Sequence, residues 1–291
     1  MIEAERALNQ VLPDNETICL ASLRETDRDR YLACLLSPAD KRAGLIALYG
    51  FNAELARIRD LVREPLPGEV RLQYWRDLLN GEARGSSEAN PLAALVLETV
   101  SRFRLPREAL LRMIDARVFD LYDDPMESSG MFEGYAGETA SVLIQLASLV
   151  LDAGKAEVSA TAAGHAGVAQ AIAGALLLMP ITRARGQIYI PLEILSATGL
   201  DRESFLAGVD RAGISAAIEA FAGLGRDHLE KARREEGPPA SVFPAFLPVA
   251  LVEPVLEGAT RAGARIFDQD IRPAQWRRQL RLLRASITRR F

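Results

Sequence analysis

The 291-residue chain is predicted to fold as an all-α domain, and three observations carry that prediction. Apolar residues recur at three- and four-residue spacing along most of the chain, whereas the alternation of a half-buried strand is almost absent. Proline- and glycine-containing runs punctuate the periodic stretches at helical lengths. Hydrophobic residues make up 49% of the chain but aromatics only 6%, so the core is built largely from alanine and leucine, both strong helix formers.

The elements follow in order. Pro38 with Asp40 opens a helix from about Asp40 through Val62, because proline suits a first helical turn whose N–H groups have no intrahelical partner. The run Pro65-Leu-Pro-Gly68 breaks the pattern before a helix around Trp75 to Leu79. Gly85-Ser-Ser-Glu-Ala-Asn-Pro91 reads as a loop, and Pro91 begins the next periodic segment. Pro106 opens a helix through Arg117 to Tyr122, closed by Asp123-Asp-Pro125. Met131 to Leu151 and the uncharged run to Thr182 read as two long core helices. Ser204 to Arg234 is helical, Gly237-Pro-Pro239 is a sharp break, and Ala274 to Arg289 forms the last helix. No repeat or low-complexity linker divides the chain, so residues 1–291 read as one domain.

Composition narrows the function. A net charge of −4 gives no global reason to expect nucleic acid. Cys19 and Cys34 are too few for a disulfide framework and read as reduced core thiols of a cytoplasmic protein. The acidic start, Met-Ile-Glu-Ala-Glu-Arg, has neither the apolar core of a signal peptide nor the arginine-rich character of a mitochondrial presequence. Val158 to Thr182 is long enough to span a bilayer. Its Ala/Gly content, His165, Gln170 and Pro180 instead suggest a helix buried on all sides of the bundle.

The segment Ala47-Leu-Tyr-Gly-Phe-Asn-Ala-Glu-Leu-Ala-Arg-Ile-Arg-Asp60 resembles the first substrate helix of the squalene/phytoene synthase family. In that family it reads roughly Ala-Leu-Tyr-x-Phe-Cys-Arg-x-x-Asp-Asp-x-x-Asp. Two of its aspartates, four residues apart on one helix face, hold Mg²⁺ against a prenyl diphosphate. Here the first of them falls on Ala56, Arg57 takes the place of the middle aspartate, and only Asp60 remains. Tyr31 to Arg42, Ile114 to Leu121, Tyr135-Ala-Gly-Glu-Thr-Ala-Ser141 and Gly186-Gln-Ile-Tyr-Ile-Pro191 extend the resemblance over most of the chain. Counting back from that last turn, the second motif falls on Gly174, Leu177, Leu178 and Thr182, so both of its carboxylates are missing as well. Mg²⁺ at such a site needs carboxylate and phosphate oxygens in near-octahedral array, and one surviving carboxylate among arginines does not supply them. Asp60, flanked by Arg57 and Arg59, is expected to be a salt-bridged group at the surface or cavity rim.

Other carboxylates and two histidines are candidate substitutes. Asp120-Leu-Tyr-Asp-Asp124 has an Asp-x-x-x-Asp spacing, but its place at a helix end beside Pro125 reads as a solvated terminus. Glu54 reads as a partner of Arg57 three residues on. His165 and His228 stand far apart without ligand spacing and read as structural or surface residues.

The resemblance implies an isoprenoid (terpenoid) synthase-like bundle around a central apolar cavity. Tyr49, Glu54, Arg57, Asp60, Tyr135, Gln170 and Tyr189 are the candidate cavity residues, although Gln170 stands one residue out of register with the family's glutamine. The departures, with Ala169-Gln-Ala-Ile, Pro180 and Val242-Phe-Pro-Ala-Phe-Leu247, are similar to a phytoene-synthase-like subgroup of mitochondrial complex I assembly factors. The reading is therefore a pseudoenzyme with no catalytic or metal-binding residue and no cofactor. It binds an isoprenoid, a lipid or a protein segment and assists assembly of a respiratory membrane complex. The alternative is an active prenyltransferase that uses Mg²⁺ with atypical ligands.

From Ile271 to Phe291 seven arginines and no acidic residue flank a stripe of Trp276, Leu280, Leu283 and Ile287. That stripe is expected to pack on the core, leaving the basic face free for an anionic membrane surface. The protein would then be cytoplasmic and peripheral on the inner face of a membrane.

Overall fold

The computed structural model describes residues 14–82 and 89–291, and among these residues there is no strand. The amino-terminal segment and most of the loop expected over Gly85–Pro91 lie outside the described residues. Two helices that the periodicity did not single out come first, α1 (Asn15–Thr26) and α2 (Arg28–Leu35). Asp14 and Asp27 cap them by accepting from the backbone N–H of Thr17 and Arg30. Next come α3 (Ala39–Leu61), α4 (Pro65–Asn80), α5 (Pro91–Phe103) and α6 (Arg107–Ala116). Pro65 does not break the pattern, as the sequence suggested. It stands in the first turn of α4, where a missing N–H is harmless.

A single 3₁₀ turn, Phe119–Leu121, leads to α7 (Ser129–Ala136), a π-helical turn (Gly137–Ser141) and α8 (Val142–Asp152). The expected helix over Met131–Leu151 is thus one path with a wide turn in it. The wide turn lies against the long helix α9 (Ala160–Ala184), where Gly167 makes the approach possible. A Cβ on Gly167 would collide with the Ser141 backbone, and Ser141 Oγ donates to the Gly164 carbonyl at 2.8 Å. The expected Ser204–Arg234 helix is two, α11 (Arg202–Ala207) and α12 (Arg211–Arg234), after the short α10 (Leu192–Ala197). Gly208, at φ 75°, separates them, and Asp210 caps the second.

The chain ends with a 3₁₀ run (Phe243–Leu251), α13 (Val252–Ala262), a short turn (Gly263–Phe267) and α14 (Gln275–Thr288). One continuous core runs from Leu23 on α1 through Leu45, Phe51, Ile144, Ile172 and Phe221 to Phe246 and Leu282. Cys19 and Cys34 are buried free thiols, and burial pushes Cys19 up to about 11. The stretches Ser129–Asp152, Glu157–Ala184 and Phe243–Phe267 are long and apolar enough to cross a membrane by length and composition alone. In the folded chain more than half of each apolar window is buried within the protein. α9 is not buried on all sides, because Leu178 and Ile181 are exposed.

One expectation reverses. On α14 the buried residues are Leu282 and Ala285, whereas Trp276, Leu280, Leu283 and Ile287 point to solvent.

Candidate functional site

The two degenerate motifs lie on α3 and α9. Their positions do not converge on a common interior point. Ala56, Arg57 and Asp60 are exposed on α3, and Leu178 is exposed on α9. Thr182 is half-buried and turns its hydroxyl back toward the Met179 carbonyl. Asp60 pairs with Arg185, one residue past the end of α9, at 2.6 Å; its neighbours Arg57 and Arg59 are not its partners. Arg59 reaches Asp123 at 3.8 Å instead, and Glu54 pairs with Arg57 at 3.8 Å, as their spacing suggested. A guanidinium therefore stands beside the one surviving carboxylate. No group of three or more His, Cys, Asp or Glu among the described residues could hold a metal ion. This donor set does not fit a Mg²⁺ ion held against diphosphate.

The interior between the motif helices is organised by a residue that the sequence placed in solvent. Asp120 is only 7% exposed and accepts from the Tyr189 hydroxyl at 2.6 Å, the Tyr135 hydroxyl at 2.8 Å and Arg117 at 3.0 Å. Arg117 also donates to the Asn52 side-chain carbonyl of α3 at 3.3 Å. The buried Gln187 amide donates to the Tyr122 carbonyl at 3.1 Å and the Asp120 carbonyl at 3.4 Å.

Local structure explains how distant segments meet here. The 3₁₀ turn after α6 swings Asp120 inward while Asp123 and Asp124 remain exposed. Gly186, at φ 81°, ends α9, with the N–H of Gln187 closing back on the Thr182 carbonyl at 2.9 Å. That reversal sends Tyr189 toward Asp120. Burial raises the pKa of both phenols, and the Asp120 carboxylate raises them further. Tyr135 and Tyr189 therefore stay protonated as donors.

Of the seven candidate cavity residues, Tyr135 and Tyr189 belong to this cluster. Tyr49 is a core residue at 2% exposure, its hydroxyl without a partner among the described residues and the Arg30 guanidinium 5.8 Å from its ring centre. Gln170 is half-buried on α9 and takes no part in the cluster. Asn52, Arg117, Asp120, Gln187 and Arg185 were missed as site residues. Two tyrosines inside apolar segments were the available signal, because a buried phenol requires a partner.

Two recesses border the cluster. A void of about 10 Å³ lies beside α9, lined by Met179, Thr182, Tyr189, Phe205 and Phe221 among others. A larger concavity of about 390 Å³ opens to the surface between α6 and α7. Phe119, Met126 and Tyr135 line it, and Arg112 and Glu138, paired at 3.2 Å, also border it.

A second polar contact joins α9 to α12. His165 and His228, read as unrelated in the sequence, place their Nδ1 atoms 3.1 Å apart, and His228 Nε2 lies 3.3 Å from Glu133. Burial, then His228 and Lys231, lower the pKa of His165 against the pull of Glu235 and Glu133.

An all-α bundle with two long motif helices and a Gly-x-x-Tyr-x-Pro turn is the architecture of isoprenoid-synthase-like proteins. Residues 23–284 match the squalene/phytoene synthase family, and the chain belongs to it. NADH dehydrogenase (ubiquinone) complex I, assembly factor 6, of Rattus norvegicus is 34% identical over 258 residues, spanning 88% of this chain and 77% of that protein. Its Mus musculus counterpart is 30% identical over 282 residues, spanning 96% and 84%. Among solved structures, a dehydrosqualene synthase in complex with ligand superposes with a TM-score of 0.74 at 15% identity, over 94% of this chain and 96% of that one. That likeness establishes the fold alone.

Proposed function

We propose that this protein is a non-catalytic assembly factor for a membrane respiratory complex, built on the squalene/phytoene synthase fold. The observation that carries the reading is the pairing of Asp60, near the end of α3, with Arg185, just past the end of α9, with Ala56, Leu178 and Thr182 at the remaining ligand positions. The similarity to complex I assembly factors supports it. Its partner is a protein of the respiratory complex, met in the cytoplasm at the inner face of the membrane. An isoprenoid or lipid chain, if one is bound, has its seat in the open concavity over Phe119 and Tyr135.

Two experiments test this. Deleting the gene in its native host lowers the amount of assembled NADH dehydrogenase on native gels, and the Asp60→Ala variant restores it. Purified protein given farnesyl or geranylgeranyl diphosphate releases no pyrophosphate, with Mg²⁺ or with EDTA. Metal-dependent release would establish the prenyltransferase instead.

A further inference from the structure

α14 is fastened to the body along one side only. Leu282 and Ala285 are buried, Arg278 donates to Asp29 of α2 at 2.8 Å, and Arg28 donates to Gln275 at 3.0 Å. Beyond the helix, Phe291 stacks on Phe246 with ring centres 5.6 Å apart. At 3.6 residues per turn, the side opposite this seam carries Trp276, Leu280, Leu283 and Ile287. These residues are 61%, 58%, 47% and 74% exposed. A helix anchored by one face ordinarily turns polar residues outward, and this one turns outward an apolar stripe about three turns long.

The stripe is bordered by positive charge. Arg277, Arg281, Arg284, Arg289 and Arg290 are exposed, and none forms an ion pair within the described residues. Arg277 lies over the Trp276 ring at 5.2 Å. The chain as a whole is net negative, yet residues 271–291 carry seven arginines and no acidic residue. A second copy of this chain is a poor occupant, because a two-fold contact would bring the same unpaired arginines together. A bilayer interface with anionic headgroups takes the apolar side chains and meets every arginine with phosphate.

We infer that the outward face of α14 docks the protein on an anionic phospholipid surface, with Trp276, Leu280, Leu283 and Ile287 in the interfacial layer and the flanking arginines on lipid phosphates. The inference deepens the membrane part of the proposed function and is independent of the assembly part.

The chain holds its own reporter. Its two tryptophans are Trp75, 3% exposed, and Trp276. Mixing the full chain with phosphatidylcholine vesicles containing phosphatidylglycerol shifts its emission to the blue and carries it upward on flotation. Pure phosphatidylcholine does much less, and high salt reverses the binding. Trp276→Phe keeps flotation and loses the shift. Replacing Arg277, Arg281 and Arg284 together by Gln weakens binding roughly a hundredfold. Replacing Leu280, Leu283 and Ile287 together by Ser abolishes flotation and lowers the melting temperature by only a few degrees, since these side chains are about half or more in water. Absence of binding by the unaltered chain overturns the inference, as does binding that survives both triple replacements. A dimer that the serine variant dissolves would assign the stripe to a second copy. If vesicle binding fails while gene deletion still depletes the respiratory complex, only the docking inference falls.

Discussion

Asp60 and Arg185, 125 residues apart in the chain, are joined by a 2.6 Å ion pair that ties the end of α3 to the end of α9. A tethered guanidinium next to a lone carboxylate leaves a divalent cation little to gain. The melting temperature is therefore expected to stay within about a degree on adding millimolar MgCl₂ with pyrophosphate, and on adding EDTA, because a ligand stabilises only in proportion to its binding. A clear rise with Mg²⁺ and pyrophosphate in differential scanning fluorimetry would contradict this. The pair itself is exposed, so Arg185→Ala should remove less than about 1 kcal/mol of unfolding free energy.

Asp120 is a different matter. Its side chain and that of Arg117 are 10% and 14% exposed, and two buried phenols depend on it. Asp120→Ala leaves a buried guanidinium without its counter-charge and should cost about 3–5 kcal/mol, measured as a lower urea midpoint. Tyr189→Phe removes one donor while leaving the other two in place, and about 1–1.5 kcal/mol is expected. Equal losses in the two variants would show that the cluster is not centred on the carboxylate.

The histidine contact gives a pH dependence of defined sign. His165 has its pKa lowered from the ordinary 6.5 by burial and by His228 and Lys231. The unfolded chain takes up a proton near that ordinary value, whereas folded His165 takes it up only at lower pH. The unfolded state therefore binds more protons in this window, so stability falls as pH drops below about 6.5 and is flat above it. Urea midpoints between neutral and mildly acidic pH should show this fall, and it should be smaller in His165→Asn. An identical slope in the variant would remove His165 as the cause.

Gly167 sets the crossing of α9 with the π-helical turn. Its missing Cβ would meet backbone, not a flexible side-chain end, so Gly167→Ala must move a helix. A loss of about 3 kcal/mol is expected, the upper end of ordinary overpacking, although alanine is the better helix former. Gly164→Ala on the same helix, with open space around its Cβ position, is the control and should be neutral or stabilising.

Most helices were legible because their apolar spacing and proline starts are local signals: α3 and α9 lie within a few residues of their expected bounds, and α5 starts at Pro91 as expected. Local signals failed where the deciding partner was distant. Pro65 reads as a breaker until its first-turn position is known. Asp120 looks solvated beside Pro125 until Tyr135 and Tyr189 arrive from 15 and 69 residues away. The apolar stripe of α14 was visible, but which face the body would cover depended on Asp29, 249 residues from Arg278. At the motif positions the loss of carboxylates was legible from residue identity, while the arginine that answers Asp60 was not.

The buried cluster around Asp120 also has a bearing on cooperativity. Its members come from four separated stretches of chain: Asn52, the turn carrying Arg117 and Asp120, Tyr135, and the reversal carrying Gln187 and Tyr189. Removing any one of them leaves a carboxylate, a guanidinium or a phenol in the interior short of a partner. Local opening at one of these stretches is therefore felt at the other three, and the middle of the chain unfolds as a unit rather than piecemeal.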